Sequence, residues 1–159
     1  MVSREVKMLA TILTVIVAVV SLALAIQTYQ ASIDYWLEKP DTLAEGFNHI
    51  TAYCKNGGGM DGDFYLVISF RNSTFSDKTE LPYEQVDNFT VKFKFVLHKG
   101  DSGQKVIYFQ VWNITTEFSI MLSLEKADMF QFLKANAIYP TQLSYQWNKE
   151  NKLFDYKNP

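Results

Sequence analysis

Apolar positions along this chain follow three rhythms, and each predicts a different element. From residue 8 to residue 26 the run is unbroken: MLATILTVIVAVVSLALAI carries no charge and only Thr11, Thr14 and Ser21 as polar members. A helix of this length at 1.5 Å per residue spans ~28 Å, close to the ~30 Å hydrocarbon thickness of a bilayer. The pattern predicts one transmembrane helix over 8–26.

The second rhythm is a stripe. Tyr29, Ile33, Trp36 and Leu37 recur at i, i+4, i+7 and i+8, the spacing of one helix face. Pro40 disfavours helical geometry at Lys39, so an amphipathic juxtamembrane helix is expected over 27–40. Tyr29, Tyr35 and Trp36 are expected at the membrane interface, where amphipathic rings sit at headgroup level. The stripe must rest on headgroups, on the protein's own domain, or on a second copy, which would make a homo-oligomer. The short connector at 41–46 favours the protein's own domain.

The third rhythm has period two, the mark of strands with one buried face. Over 88–98, Phe89, Val91, Phe93, Phe95 and Leu97 alternate with polar or charged neighbours. The same alternation recurs over 63–71, 118–124 and Gln142–Asn148, and more weakly over 47–54 and Leu153–Tyr156. Residues 105–112 are apolar on both faces, as in a central strand. Glycine-bearing turns at 56–63 and 98–103 separate strands. Only 125–137 reads as helical, with Met129, Phe132 and Leu133 on one stripe ahead of Tyr139-Pro140. About seven strands and one short helix predict an antiparallel β-sandwich of immunoglobulin-like architecture over 41–159, mainly β, behind the single transmembrane helix.

Charge orients the helix. Arg4 and Lys7 precede the apolar run, whereas Asp34 and Glu38 are the first charges after it. The positive-inside rule leaves 1–7 in the cytoplasm and exports the sandwich. Ala23-Leu24-Ala25 offers a small-x-small cleavage site, so a secreted, soluble ligand-binding domain is the alternative product. Three sequons agree with export and mark glycosylation candidates at Asn72, Asn88 and Asn113.

Composition removes several classes. The 159 residues suit one domain. With 15 Lys+Arg against 17 Asp+Glu, the chain lacks the basic surplus of a nucleic-acid binder. A single cysteine, Cys54, excludes an intrachain disulfide framework and reads as a small buried hydrophobe. His49 and His98 stand apart on separate strands. Asn56, Asp61 and Asp63 in NGGGMDGD are weak candidates for a hard cation, though a plain turn is favoured. Glu80, Glu84 and Asp87 read as a solvated acidic loop. No catalytic residue and no cofactor are expected. Tyr65, Phe75, Tyr83, Tyr108, Trp112 and Tyr139 fall off the core parity or in loops; burial under loops is the favoured reading, and a protein or sugar contact, for which exposed aromatics are enriched, is the alternative.

The reading that follows is a single-pass anchored, non-catalytic binding, adhesive or accessory module of the cell envelope. It would hold membrane lipid through its helix and an envelope protein or carbohydrate through its sandwich. A long N-terminal helix, apolar first and amphipathic after, followed by a β-domain, resembles the plan of type IV pilins. That resemblance implies a filament subunit assembled through the helix. Lys7-Met8 stands where that plan places a glycine.

Overall fold

The computed structural model describes residues 4–112, 115–129 and 131–157. One helix, α1 (Arg4–Thr28), opens the chain, and every described side chain from Arg4 to Ile26 is exposed. Thr11, Thr14 and Thr28 turn their hydroxyls inward, each donating to the carbonyl four residues back at 2.9–3.0 Å.

Twelve strands follow among the described residues: β1 (Ala31–Leu37), β2 (Thr42–Leu43), β3 (Gly46–Asn56), β4 (Gly62–Arg71), β5 (Thr74–Phe75), β6 (Glu84–Gln85), β7 (Thr90–Leu97), β8 (Ser102–Val111), β9 (Glu117–Lys126), β10 (Leu133–Ala137), β11 (Gln142–Asn148) and β12 (Leu153–Tyr156). They form two sheets, ordered β10-β1-β3-β8-β5 and β2-β12-β11-β9-β4-β7-β6. One core lies between them. Ile33, Ile50, Ile107 and Phe109 enter it from the first sheet, and Phe64, Phe93, Ile120 and Tyr145 from the second. The immunoglobulin-like β-sandwich behind one long apolar helix is therefore the fold of this chain. Its regular strands keep their expected places, and four of the additional pairings involve the short strands β2, β5, β6 and β10.

Three expectations are corrected. Residues 27–40 do not continue the helix: α1 ends at Thr28 and β1 begins at Ala31. The same letters carry period two, with Ala31, Ile33 and Leu37 buried and Ser32, Asp34 and Trp36 on the other face. In that register β1 pairs with β3 on one side and β10 on the other, so its backbone polar groups are satisfied across both edges. Of the stripe, Ile33 and Leu37 rest on the protein's own core as part of a strand, whereas Trp36 lies on the outer face and Tyr29 is exposed ahead of it.

The helix expected at 125–137 is absent among the described residues. β9 extends to Lys126, a turn closes with Gln131 N–H on the Asp128 carbonyl at 3.2 Å, and β10 runs parallel to β1. Of the apolar stripe, only Leu133 is buried, while Met129 is 84% exposed. Ladder bonds along an otherwise open strand outweigh a local helical preference that buries one side chain. The sandwich is thus not purely antiparallel.

Residues 105–112 are apolar on both faces but buried on one. Ile107, Phe109 and Val111 are in the core, whereas Val106 and Trp112 are exposed. β8 is flanked outside by the two-residue β5.

Register gives the sandwich two ends. At one, the base, lie the start of β1, the end of β3, the start of β4 and the end of β9. Here α1 joins through Tyr29 and Gln30 alone. At the other, the apex, lie the start of β3, the ends of β4 and β8, and the start of β9.

Candidate functional site

The apex holds a two-lobed cleft. One lobe, about 380 Å³, is lined by Phe89, Trp112, Ser73, Thr115 and Thr116. The other, about 270 Å³, is lined by Arg71, Ser119, Gln142, Ser144 and Lys157 among others. Asn72 and Glu117 belong to both lobes.

Local chemistry builds the cleft. At the end of β4 Asn72 adopts φ 58°, a left-handed conformation that asparagine tolerates better than most residues. Its amide donates to the Glu117 carbonyl at 3.1 Å, which ties β4 to the start of β9. The Thr115 hydroxyl donates to the Asn72 carbonyl at 3.4 Å. Asp87 accepts from the Phe89 N–H at 2.6 Å, a side-chain turn that delays β7 to Thr90. Phe89 is thereby left 49% exposed, as is Trp112. Large rings held half in water on a rigid frame are the usual anchors of a binding surface.

The Ser73 hydroxyl adds a specific signal. It is buried and has no hydrogen-bond partner among the described residues. A buried hydroxyl left unpaired is costly, and a ligand polar group entering the lobe would pair it.

A second aromatic array lies on the outer face of the first sheet. Trp36 stacks on Tyr53 with centroids 5.5 Å apart, His49 tilts against Tyr108 at 5.7 Å, and the Lys78 ammonium sits 3.9 Å over the Phe47 ring. The first two are cross-strand pairs that support the sheet, and Lys78 reaches Phe47 from the loop after β5.

The candidate residues fall into distinct places. Asn56, Asp61 and Asp63 are each engaged by other groups of the protein. The Asn56 side chain is fully buried and satisfied: it donates to the Met60 and Leu97 carbonyls and accepts from the Ser32 and Gly58 N–H groups. Asp61 pairs with His98 at 2.8 Å and accepts from the Lys99 N–H, while Asp63 reaches Lys94 at 3.2 Å. Among the described residues no cluster of three or more His, Cys, Asp or Glu could hold a metal. The hydrogen bond from His98 holds the Asp61 carboxyl below its ordinary range, and Asp61 in turn raises the His98 imidazole.

Cys54 is fully buried against the Gly103 carbonyl, and burial pushes its thiol up to about 12. Tyr29 is 66% exposed beside the helix end. Tyr35, expected at the membrane interface, packs against the core instead, and Trp36 lies on the sheet face. Glu80, Glu84 and Asp87 are exposed. Phe75 and Tyr83 meet edge-to-face at 4.9 Å over the core.

Asn72 and Asn88 both lie at the apex, which sequence distance had not suggested; Asn113 is outside the described residues. Parity alone puts Phe89 in the core, and Ser73 and Glu117 carry no distinguishing signal in the sequence. The Asp87-Asn88 pair just before Phe89, a known turn former, was the cue that the strand starts later.

No family model matches the chain, and no curated protein matches it. Solved structures that are similar in part include the following three. A non-cellulosomal cohesin from Archaeoglobus fulgidus has 15% identity and a TM-score of 0.49, over 68% of this chain and 87% of the cohesin. The CARDB domain of a Pyrococcus furiosus protein has 7% identity and a TM-score of 0.45, over 67% of this chain and 90% of that domain. A type II cohesin domain from Acetivibrio cellulolyticus has 14% identity and a TM-score of 0.39, over 82% and 89% of the two chains. The architecture given above rests on the strand order and the shared core.

Proposed function

We propose that this protein is a single-pass, bilayer-anchored binding module of the cell envelope. Residues 1–7 lie in the cytoplasm, and the sandwich stands outside with its apex cleft turned away from the membrane. The observation that carries this reading is positional. α1 is apolar and exposed along its length and joins the base, while Phe89, Trp112 and the unpaired Ser73 hydroxyl gather at the opposite end. A module tethered at one end and furnished with half-exposed rings at the other is arranged to meet a partner across the extracytoplasmic space.

The partner that fits is an envelope protein. A shallow cleft flanked by exposed aromatics takes an apolar side chain of a partner surface, with the Ser73, Thr115 and Thr116 hydroxyls and the Glu117 carboxylate fixing register. The role is binding rather than catalysis: among the described residues the cleft is furnished with rings, hydroxyls, amides and the charged Arg71, Glu117 and Lys157, groups suited to a partner surface. Of the two described sequons, Asn88, exposed in the turn before β7, is the one open to a glycan; the Asn72 amide is already held by Glu117.

A photo-crosslinker at Thr116 in the full-length, membrane-embedded chain tests the reading. A single crosslinked protein adduct that disappears with Trp112→Ala or Phe89→Ala, at unchanged melting temperature, supports it. An adduct sensitive to glycosidase alone identifies carbohydrate as the occupant instead, and adducts indifferent to both substitutions refute the cleft.

A further inference from the structure

The base of the sandwich carries apolar side chains that fold packing does not use. Met129 is 84% exposed, Phe132 67%, Tyr29 66% and Met60 46%. They come from three separate stretches of chain, yet hydrogen bonds hold them in one place. The Phe132 carbonyl accepts from the Ala31 N–H at 3.0 Å. Gln131 donates to the Asp61 carbonyl at 3.2 Å, joining the residues just ahead of β10 to the 57–61 loop. Asn56 fixes the Met60 carbonyl at 2.8 Å.

Their distance from the helix is set by the chain. The apolar run ends at Ile26, α1 ends at Thr28, and Ala31 is already in the sheet. Three residues span at most ~10 Å. The Gly59 N–H donates to the Gln30 carbonyl at 3.0 Å, and Gly58 and Gly59 pack so closely on residues 28–32 that neither has room for a Cβ. The junction is therefore a fixed joint rather than a tether. The headgroup layer of a bilayer is several Å thick on each side, and apolar faces of interfacial segments bury ~5–10 Å into it.

We infer that Met60, Met129, Phe132 and Tyr29 form a foot on which the sandwich rests in the headgroup and upper acyl region of the bilayer that α1 crosses. This rests on the reading of α1 as a membrane span. The occupant is lipid, because a joint of two residues brings this end of the domain to the bilayer surface whatever else the protein binds. Methionine and aromatic side chains suit that boundary: their bodies are apolar, and the tyrosine hydroxyl can remain among headgroups. The foot holds the domain upright and fixes the height of the apex cleft above the membrane.

The test uses the full chain in phosphatidylcholine nanodiscs, with an environment-sensitive fluorophore on Met129→Cys, Phe132→Cys, Glu150→Cys and Ile16→Cys. Native Cys54 is buried and stays unlabelled. The expected result is blue-shifted emission at 129 and 132, quenched several-fold more by a shallow spin-labelled lipid than at 150. Ile16 should be quenched by a deep one. Quenching at 16 with 129 and 132 behaving like 150 overturns the foot and leaves the anchor standing. Blue-shifted emission at 129 and 132 that no lipid quencher reaches shows a protein covering and also overturns it. Absence of quenching at 16 removes the membrane span and the foot together.

Discussion

Gly59 lies against Thr28, the last residue of α1, with its backbone so near that a Cβ would overlap the Thr28 carbonyl oxygen. Two backbone segments that meet this way cannot both stay in place once a methyl group is added. Gly59→Ala should destabilise the sandwich by about 1–3 kcal/mol. Gly57→Ala, where a Cβ meets open space, should change stability by less than about 0.5 kcal/mol. Chemical unfolding in detergent compares the two; equal effects would mean the glycine loop does not clamp the helix end.

Asn56 occupies the centre of the same joint. Asn56→Ala leaves four backbone groups without their partner and should cost about 1–3 kcal/mol. Because its side chain is consumed internally, millimolar calcium should not raise the melting temperature of the native protein. A calcium-dependent rise lost in Asp61→Asn would restore the cation site that NGGGMDGD suggests.

The strands legible in the sequence were those whose core face is set by alternation alone. Phe64, Leu66 and Ile68 on β4, and Leu143 and Tyr145 on β11, are buried where period two puts them. The failures share one cause. Residues 31–37 fit both a helical stripe and an alternation, and only pairing with β3 and β10 decides between them. Residues 133–137 gain their partner from β1, 102 residues earlier in the chain. The apex cleft was illegible for the same reason: Ser73, Phe89, Trp112 and Glu117 are brought together by register, and only Trp112 stood off the expected parity.

Phe93 and Phe89 separate core from surface on what looks like a single run. Phe93 is 1% exposed and Phe93→Ala should cost about 3–5 kcal/mol. Phe89 lies outside β7, and Phe89→Ala should cost less than about 1 kcal/mol. Comparable losses in thermal unfolding would place Phe89 in the core and close the cleft.

The His98–Asp61 pair makes a pH signature with a definite sign. Asp61 raises the His98 imidazole above its ordinary 6.5, so this contribution is full below that value and is lost as pH rises through the raised one. Hydrogen bonds from His98 and Lys99 lower Asp61 below 3.8, so its contribution is present above that value and lost as pH falls. Both groups are exposed, so the effect should weaken with salt. An NMR titration should give a His98 midpoint above 6.5 that falls in Asp61→Asn. An unchanged midpoint would dissolve the pair.

On the proposed reading, one uncleaved helix holds the sandwich outside the membrane with its apex outward. Glu150→Cys, on the exposed turn between β11 and β12, tests it directly with a membrane-impermeant maleimide on intact cells. Cys54 does not compete, being buried with its thiol pushed up to about 12. Position 150 should be labelled before lysis on a chain that stays in carbonate-washed membranes and retains residues 8–26. Labelling only after lysis would reverse the topology, and a labelled chain recovered in the soluble fraction and beginning after Ala25 would show a secreted domain in place of an anchored one.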